Sequence, residues 1–237
     1  MSGHSKWATT HRQKAVVDAK RGAIFTKLGN AITIAAREGG DPEANPTLRT
    51  AIDRAKSASM PKDNIERAIK KGTGELGGDI VEEIYYEGIL PPSIQIIVKC
   101  VTDNKNRSGS SVRHIFSKNG GSLSAVMWNF YQAGVIRISK EELNKINIDE
   151  LELELIDKNI LDFHQEEEGI IIQTEVGDLQ EIEKYLKDKD LNLESAEIEY
   201  VAKDKIDIEG KEEEKIERLL EELNDNEDVS TVYTNLN

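Results

Sequence analysis

The spacing of the apolar residues changes at a glycine-rich segment, residues 72–78, and this change limits the folds open to the chain. Before the segment, apolar residues recur every three or four positions, as they do between Phe25 and Ala35, which predicts amphipathic helices. After it, short segments rich in Ile, Val and Tyr predict β-strands with helices between them. The sequence therefore predicts a helical bundle followed by α+β structure.

Three helices are predicted in the bundle. The pair Gly39–Gly40 ends the first helix, because glycine readily adopts the left-handed backbone that follows many helices. The pair Asn45–Pro46 is typical of a helix start, since asparagine caps free backbone N–H groups and proline lacks such a group. Pro61 ends the second helix, and a third short helix extends to Gly72.

The glycine-rich segment also matches the pattern G-x-G-x-x-G through Gly72, Gly74 and Gly77. A dinucleotide site places this pattern after a strand and at the start of a helix, where backbone amides meet the pyrophosphate. Here the pattern follows a helix and precedes a strand. We therefore interpret the segment as a linker.

Beyond the linker, the predicted elements favour two similar α+β units, each an antiparallel sheet backed by helices. Strands are predicted at residues 82–90, 93–103, 126–139, 159–164, 169–175, 193–202 and 229–235, and helices at 108–118, 148–157, 178–189 and 211–224. The first unit lacks a second helix and a last strand, which the C-terminal helix and strand would supply. We therefore predict domains at residues 1–76, at 77–139 with 204–237, and, inserted, at 140–203. Two consecutive sandwich units are the alternative.

The net charge of −14 hides a strong asymmetry along the chain. Residues 1–71 carry a net charge of +7, residues 72–137 are neutral, and residues 138–237 carry −21. A short segment with this much positive charge favours an anionic polymer, DNA or RNA, as its partner. The acidic remainder is typical of a solvated surface.

Composition excludes several classes of protein. The single cysteine, Cys100, cannot form an internal disulfide, no apolar run approaches the ~18 residues of a membrane span, and the first residues lack the apolar core of a secretion signal. No nucleophile, base or ligand set forms a recognisable site, and two histidines near the start are too few for a metal site. We therefore expect a cytoplasmic protein that is not an enzyme, with no cofactor, no metal and no membrane partner.

The strongest functional signal is the basic opening of the chain. Its cations neutralise phosphates and release counterions, which supplies affinity independent of sequence. Trp7 lies next to Lys6 and would stack on an unpaired base, or it would anchor the N-terminus on the bundle. Lys20 and Lys27 lie about half a turn from the apolar stripe, so we expect both to face solvent or a ligand.

Two further clusters carry basic residues. In the first, Met60–Asn64 is followed by Arg67, Lys70 and Lys71. This turn and basic helix would bind phosphate, or the helix would simply have an ordinary solvated face. Thr102–Arg107, which leads to Arg113, offers Asn and Arg to a ligand, although Asp and Asn also suit a structural turn.

Seven sequence motifs resemble those of one known family. They are Gly3–Trp7, Asp18–Gly22, Phe25–Leu28, Asp41–Pro46, Met60–Lys71, Thr102–Gly121 and Val232–Asn235. Over its whole length the chain is similar to the YebC/PmpR family, which includes mitochondrial translational activators of cytochrome oxidase subunit synthesis. Two loops depart from the glycine-rich family pattern, residues 89–93 and 122–124.

The resemblance implies a helical bundle followed by two ferredoxin-like α+β domains. It also implies a non-enzymatic regulator of gene expression, either a DNA-binding transcriptional regulator or a ribosome-associated translation factor that relieves stalling. A protein-interaction adaptor is the alternative of another class. Position by position, the resemblance implies nucleic-acid contacts at His4, Lys6, Trp7, His11, Arg12, Lys14, Lys20, Arg21, Lys27, Lys62, Asn64, Asn104, Arg107 and Arg113. Arg67, Lys70 and Lys71 of the second basic cluster complete the predicted set.

Overall fold

The structure, a computed structural model, describes residues 21–77 and 80–237. Its helices, numbered along the chain, are α1 (Arg21–Ala35), α2 (Pro46–Ser57), α3 (Lys62–Gly72), α4 (Lys105–Lys118), α5 (Lys140–Leu143), α6 (Ile148–Ile156), α7 (Leu179–Asp188) and α8 (Lys211–Asp225). Its strands are β1 (Glu82–Leu90), β2 (Ile94–Thr102), β3 (Ser122–Leu123), β4 (Phe130–Ser139), β5 (Asp162–Gln165), β6 (Gly169–Thr174), β7 (Ser195–Ala202) and β8 (Val229–Thr234). The predicted α+β class is confirmed, with two four-stranded antiparallel sheets in the described residues.

The described residues divide into two compact units. Unit 1 comprises the described part of residues 1–127 together with residues 205–237, and unit 2 comprises residues 128–204. Within these ranges, no helix combines the length and the apolar character that a membrane crossing requires.

The helices α1, α2 and α3 of unit 1 pack around a small apolar core. Ile32, Leu48, Ile52 and Ile65 are buried in this core at the spacing of one helical face. Asn45 starts α2 as predicted, because its Oδ1 accepts a hydrogen bond from the backbone N–H of Leu48 at 3.0 Å. The Nδ2 of Asn45 also donates to the backbone oxygens of Ala35 and Gly39, at 2.8 and 2.9 Å. One buried amide therefore joins the end of α1 to the start of α2.

The sheet of unit 1 has the strand order β3–β1–β2–β8. Its last strand comes from the C-terminus: Val98 of β2 pairs with Val232 of β8. Alternate residues of β2, among them Ile96 and Cys100, form one apolar core with the buried faces of α4 and α8. The two helices therefore cover the same face of this sheet.

Close packing at Gly88 fixes the position of α4 on strand β1. A Cβ atom at residue 88 would lie 2.3 Å from Cε1 of Phe116, which is fully buried. Real contacts of a Cβ atom are never this short. Only glycine allows the phenyl ring to approach the strand this closely.

The sheet of unit 2 has the strand order β5–β6–β4–β7. Strand β4 is central: it pairs with β6 and with β7 along most of its length. Arg137 of β4 and Glu199 of β7 form a buried ion pair with two hydrogen bonds, at 2.8 and 3.0 Å. Helices α6 and α7 pack on the sheet through residues such as Leu155 and Ile182.

The inserted unit begins earlier than the sequence predicts, at residue 128 rather than 140, and ends one residue later, at 204 rather than 203. The sequence predicts that residues 126–139 belong to the discontinuous domain, whereas the structure groups residues 128–139 with unit 2. The reason is hydrogen bonding, because β4 is paired in register with two strands of unit 2. The sequence also missed β3 and α5, which have only two and four residues.

Candidate nucleic-acid interface

The predicted contact residues fall into described and undescribed parts of the chain. His4, Lys6, Trp7, His11, Arg12, Lys14 and Lys20 lie outside the described residues. Arg21 begins the described part of α1, and only its backbone is described. The remaining nine positions lie in unit 1, on α1, on α3, and on α4 with the residue that caps it.

Helix α3 presents the most open group of predicted contacts. Ile65 and Ala68 are buried against the bundle, so that the opposite face, with Asn64, Arg67 and Lys70, is exposed to solvent. Arg67 and Lys70 form no side-chain hydrogen bond or ion pair with any residue that the structure describes. Both are therefore available to an anionic ligand.

Lys62, the first residue of α3, has only a weak ion pair. Its Nζ atom lies 3.5 Å from Glu66, and its side chain is 87% exposed. An ion pair between two solvated side chains on a helix contributes well under 1 kcal/mol to stability. A phosphate would displace Glu66 from this lysine at little cost.

Helix α2 adds cations that the sequence analysis missed. Arg49, Arg54 and Lys56 are exposed on this helix, outside the stripe that buries Leu48 and Ile52, and Arg37 is exposed in the short 3₁₀ turn that follows α1. Lys56 is 3.4 Å from Asp53, again between two exposed side chains. The helical spacing of the buried residues was enough to predict these exposed positions.

Lys27 has a different environment from the one the sequence predicts. Its side chain is half-buried, and Nζ donates a hydrogen bond of 2.6 Å to the backbone oxygen of Asn224. Asn224 lies in the last turn of α8, where free carbonyl groups and the helix dipole attract a cation. Lys27 therefore connects the bundle to the C-terminal helix of unit 1, rather than facing solvent.

Asn104 and Arg107 also have internal partners. Asn104 caps α4, with its Oδ1 accepting a hydrogen bond of 3.0 Å from the backbone N–H of Arg107. The guanidinium of Arg107 donates to both carboxylate oxygens of Asp228, whose side chain is only 6% exposed. The structural interpretation of this turn, which the sequence left open, accounts for both residues.

A chain of charges extends from Arg107 to the bundle. Its Nη2 also donates to Asp103 at 3.2 Å, and Lys71 of α3 lies 3.4 Å from the same carboxylate. Partial burial raises the pKa of Asp103, but hydrogen bonds and charge from Lys71 and Arg107 outweigh it and hold the pKa below its ordinary value. The hydrogen bond and charge of Asp228 raise the pKa of Arg107. Lys71 and Arg107 therefore hold α3 against the start of α4.

Arg113 is the second predicted arginine on α4, and it differs from Arg107 in its partners. It lies on the solvent side of the helix with His114, opposite the buried Val112 and Phe116. It has no ion-pair partner among the described residues. Arg113 therefore remains open to a ligand, at a different place in unit 1 from the cations of α2 and α3.

The described residues offer cations rather than reactive groups. Burial, followed by the charge of Asp228, raises the pKa of the Cys100 thiol to about 12, so the thiol is protonated at neutral pH. In the described ranges, no three His, Cys, Asp or Glu side chains come together as a metal site would require. The arrangement can hold an anionic polymer by charge and hydrogen bonding.

Comparison with known proteins identifies relatives of the chain. A family model described as "TACO1/YebC protein N-terminal domain" matches residues 5–75, and one described as "TACO1/YebC second and third domain" matches residues 81–236. A probable transcriptional regulatory protein of Thermoanaerobacter pseudethanolicus is 45% identical, over 100% of this chain and 97% of its own length. One from Natranaerobius thermophilus is also 45% identical, over 99% of this chain and 96% of its own length.

A solved structure is similar over most of the chain. The crystal structure of a conserved hypothetical protein, Aq1575 from Aquifex aeolicus, superposes with a TM-score of 0.81 at 40% sequence identity. It covers 94% of this chain and 93% of its own. The similarity therefore includes both units of the molecule.

Proposed function

The chain belongs to the TACO1/YebC family, and from this premise we propose that it is a non-enzymatic regulator of gene expression that binds nucleic acid through its basic bundle. Relatives with about 45% identity over the whole chain are named probable transcriptional regulatory proteins. The single cysteine and the absence of an internal disulfide support a site of action in the cytoplasm.

The observation that carries this proposal is the exposed face of α3. Arg67 and Lys70 are unpaired within the described part of the molecule, and Lys62 is only loosely paired with Glu66. The exposed cations of α2 extend the positive surface. Arg67 and Lys70 can therefore bind phosphate groups without first breaking an ion pair to another described residue.

The domain arrangement is part of the same proposal. In unit 2 the chain order of strand, helix, two strands, helix and strand, with β4 and β6 at the centre, supports a ferredoxin-like domain. In unit 1, β1 and β2 are consecutive, so its likeness is limited to a four-stranded sheet with two helices on one face. We propose that residues 128–204 form a domain inserted between the two parts of the discontinuous domain.

DNA and structured RNA are the two candidate ligands within this function. The exposed cations of the bundle suit phosphate contacts, which carry no sequence information, so ribosomal RNA is as good a ligand for them as promoter DNA. A translation factor that travels with ribosomes is therefore the second candidate. A sucrose-gradient profile with and without nuclease separates the two, because a ribosome-bound protein sediments with the ribosomal particles.

The test of the proposal measures affinity and its salt dependence on the full chain. The probes are a labelled 30-base-pair DNA duplex and a labelled RNA hairpin, titrated at several salt concentrations. The variant is Arg67→Glu with Lys70→Glu, and the matched control is Lys184→Glu with Lys187→Glu, which makes the same charge change on exposed positions of unit 2.

The α3 variant is expected to weaken binding at least tenfold. On the duplex it should also reduce the slope of log K against log salt by about 2, because each phosphate contact contributes about 0.9. The control should change affinity less than twofold. Equal effects of variant and control, or no binding of either probe, would contradict the proposal and leave the adaptor function.

A further inference from the structure

The large apolar side chains that reach solvent are concentrated in the acidic unit. Of the eight that the described residues expose, six belong to unit 2. Residues 128–204 contain 8 Lys or Arg and 21 Asp or Glu, hence a net charge of −13. Single exposed apolar side chains are ordinary, whereas adjacent ones bordered by polar residues mark binding surfaces, so the question is which of these six lie side by side.

Helix α6 carries the most exposed pair. Leu153 is 66% exposed and Ile156 is 54% exposed, while Leu151 and Leu155 on the other side of the helix are buried in the core. Residues three apart in a helix are neighbours on its surface, so that Leu153 and Ile156 form one continuous apolar patch. This pair is called the α6 patch below.

The α6 patch is surrounded by carboxylates. Asp149, Glu150 and Glu152 lie three or four positions before one of the two apolar residues, and Asp157 lies four positions after Leu153. Positions three and four apart are adjacent on a helix, so all four carboxylates border the patch.

The lysines near the α6 patch are paired with other side chains of unit 2. Lys158, the next residue along the chain, lies 3.7 Å from Glu181 and over the ring of Tyr185, at 4.4 Å from its centroid. Lys189 is paired with Glu154, which also accepts a hydrogen bond of 2.8 Å from Tyr185. These contacts fix α6 against α7 and leave the negative charge around the α6 patch uncompensated.

We propose that the α6 patch binds a cationic amphipathic helix of a partner protein. The apolar face of such a helix would cover Leu153 and Ile156, and its lysines or arginines would meet the bordering carboxylates. Nucleic acid is disfavoured here by like charge. A second copy of the chain is disfavoured as well, because a symmetric contact would bring the same carboxylates face to face. The proposal rests on unit 2 alone and does not depend on nucleic-acid binding by the bundle.

The test titrates the full chain with two labelled synthetic peptides. One is a 14-residue helix with leucine on one face and lysine on the other, and the second has the same composition with the leucines distributed around the helix. The first is expected to bind at least tenfold more tightly, and to shift the backbone amide resonances of α6. Equal binding of the two peptides, or shifts confined to other elements, would overturn the proposal.

Two pairs of variants test whether binding of the peptide depends on the α6 patch or only on the negative charge of unit 2. Leu153→Ser with Ile156→Ser should weaken binding of the first peptide at least tenfold, whereas Val176→Ser with Ile198→Ser, also exposed apolar residues of unit 2, should change it less than twofold. A second pair removes three negative charges in each variant. Neutralising carboxylates that border the α6 patch, with Asp149→Asn, Glu150→Gln and Glu152→Gln, should weaken binding of the first peptide more than the same change elsewhere in unit 2, with Glu166→Gln, Glu167→Gln and Glu168→Gln. Equal losses within either pair would overturn the proposal, as would a wild-type dimer that the serine variant abolishes.

Discussion

The guanidinium of Arg107 holds the carboxylate of Asp228 with two hydrogen bonds, from Nε to Oδ2 at 3.1 Å and from Nη2 to Oδ1 at 2.8 Å. The two residues are 121 positions apart, one in α4 and the other immediately before β8. The contact joins the two segments of the chain that enclose unit 2 in sequence. It also gives a structural role to a residue that the sequence assigns to the nucleic-acid surface.

Replacing Arg107 should therefore lower stability. Arg107→Ala leaves the nearly buried carboxylate of Asp228 without its partner, and we expect the free energy of unfolding to fall by about 2 kcal/mol, less than for a fully buried pair because Arg107 is itself half exposed. Urea denaturation measures this change. Arg113→Ala, at an exposed position of the same helix, should change it by less than ~0.5 kcal/mol. A stable Arg107→Ala protein that no longer binds nucleic acid would indicate a direct contact instead.

Lys27 should behave in the same way. Lys27→Ala removes the hydrogen bond to the last turn of α8 and should lower the free energy of unfolding by about 1 kcal/mol. Lys62→Ala, which removes a solvated lysine from the same bundle, should leave stability almost unchanged. Thermal unfolding of the two variants at neutral pH checks this difference. Equal melting temperatures would show that the contact at Asn224 contributes nothing.

Glu142 of α5 should make the stability of the protein depend on acid pH. Hydrogen bonds from Lys145, then from the side chain and backbone of Asn192, lower the pKa of Glu142 to about 2. Because the folded pKa lies below the ordinary value of 4.5, the stabilisation is complete above pH ~4.5 and is lost as the pH falls towards 2. Thermal unfolding of wild type and Glu142→Gln between pH 7 and 2 measures this stabilisation. The difference between their melting temperatures should become smaller as the pH falls. A constant gap would contradict the assignment.

Gly88 should tolerate no side chain. Gly88→Ala places a methyl group against the ring of Phe116, and we expect a loss of about 2–3 kcal/mol in the free energy of unfolding. Gly177→Ala is the control, since a Cβ atom there would meet nothing within 4 Å. The double variant Gly88→Ala with Phe116→Leu should lose less free energy of unfolding than the two single variants lose together, because the smaller side chain makes room for the methyl group. Strict additivity in the denaturation midpoints would argue against the contact.

Local structure was predictable where the signal lies in neighbouring residues. The start of α2 at Asn45–Pro46 and its capping bond to Leu48 were expected from two consecutive residues, and the structure confirms that helix. Strand β3 was not predictable, because its two residues have no pattern of their own and become a strand only through pairing with Gly88 and Ile89.

The candidate site was predictable in charge but not in detail. The sequence correctly marks α3 as a basic helix, since the buried positions Ile65 and Ala68 determine which side faces solvent. It could not separate the exposed Arg67 from Arg107, because both are arginines on the polar side of a helix. What distinguishes them is the presence of Asp228, which is close in space and distant in the chain.

The amino-acid order alone therefore settled the helices, most strands, the faces that are buried and the separation of positive from negative charge. These properties follow from residue spacing and composition within short segments. The fold alone settled that β4 pairs within unit 2, and that Lys27 and Arg107 have carbonyl and carboxylate partners 197 and 121 residues away. Hydrogen bonds and charge interactions depend on distance in space, which only the folded chain determines.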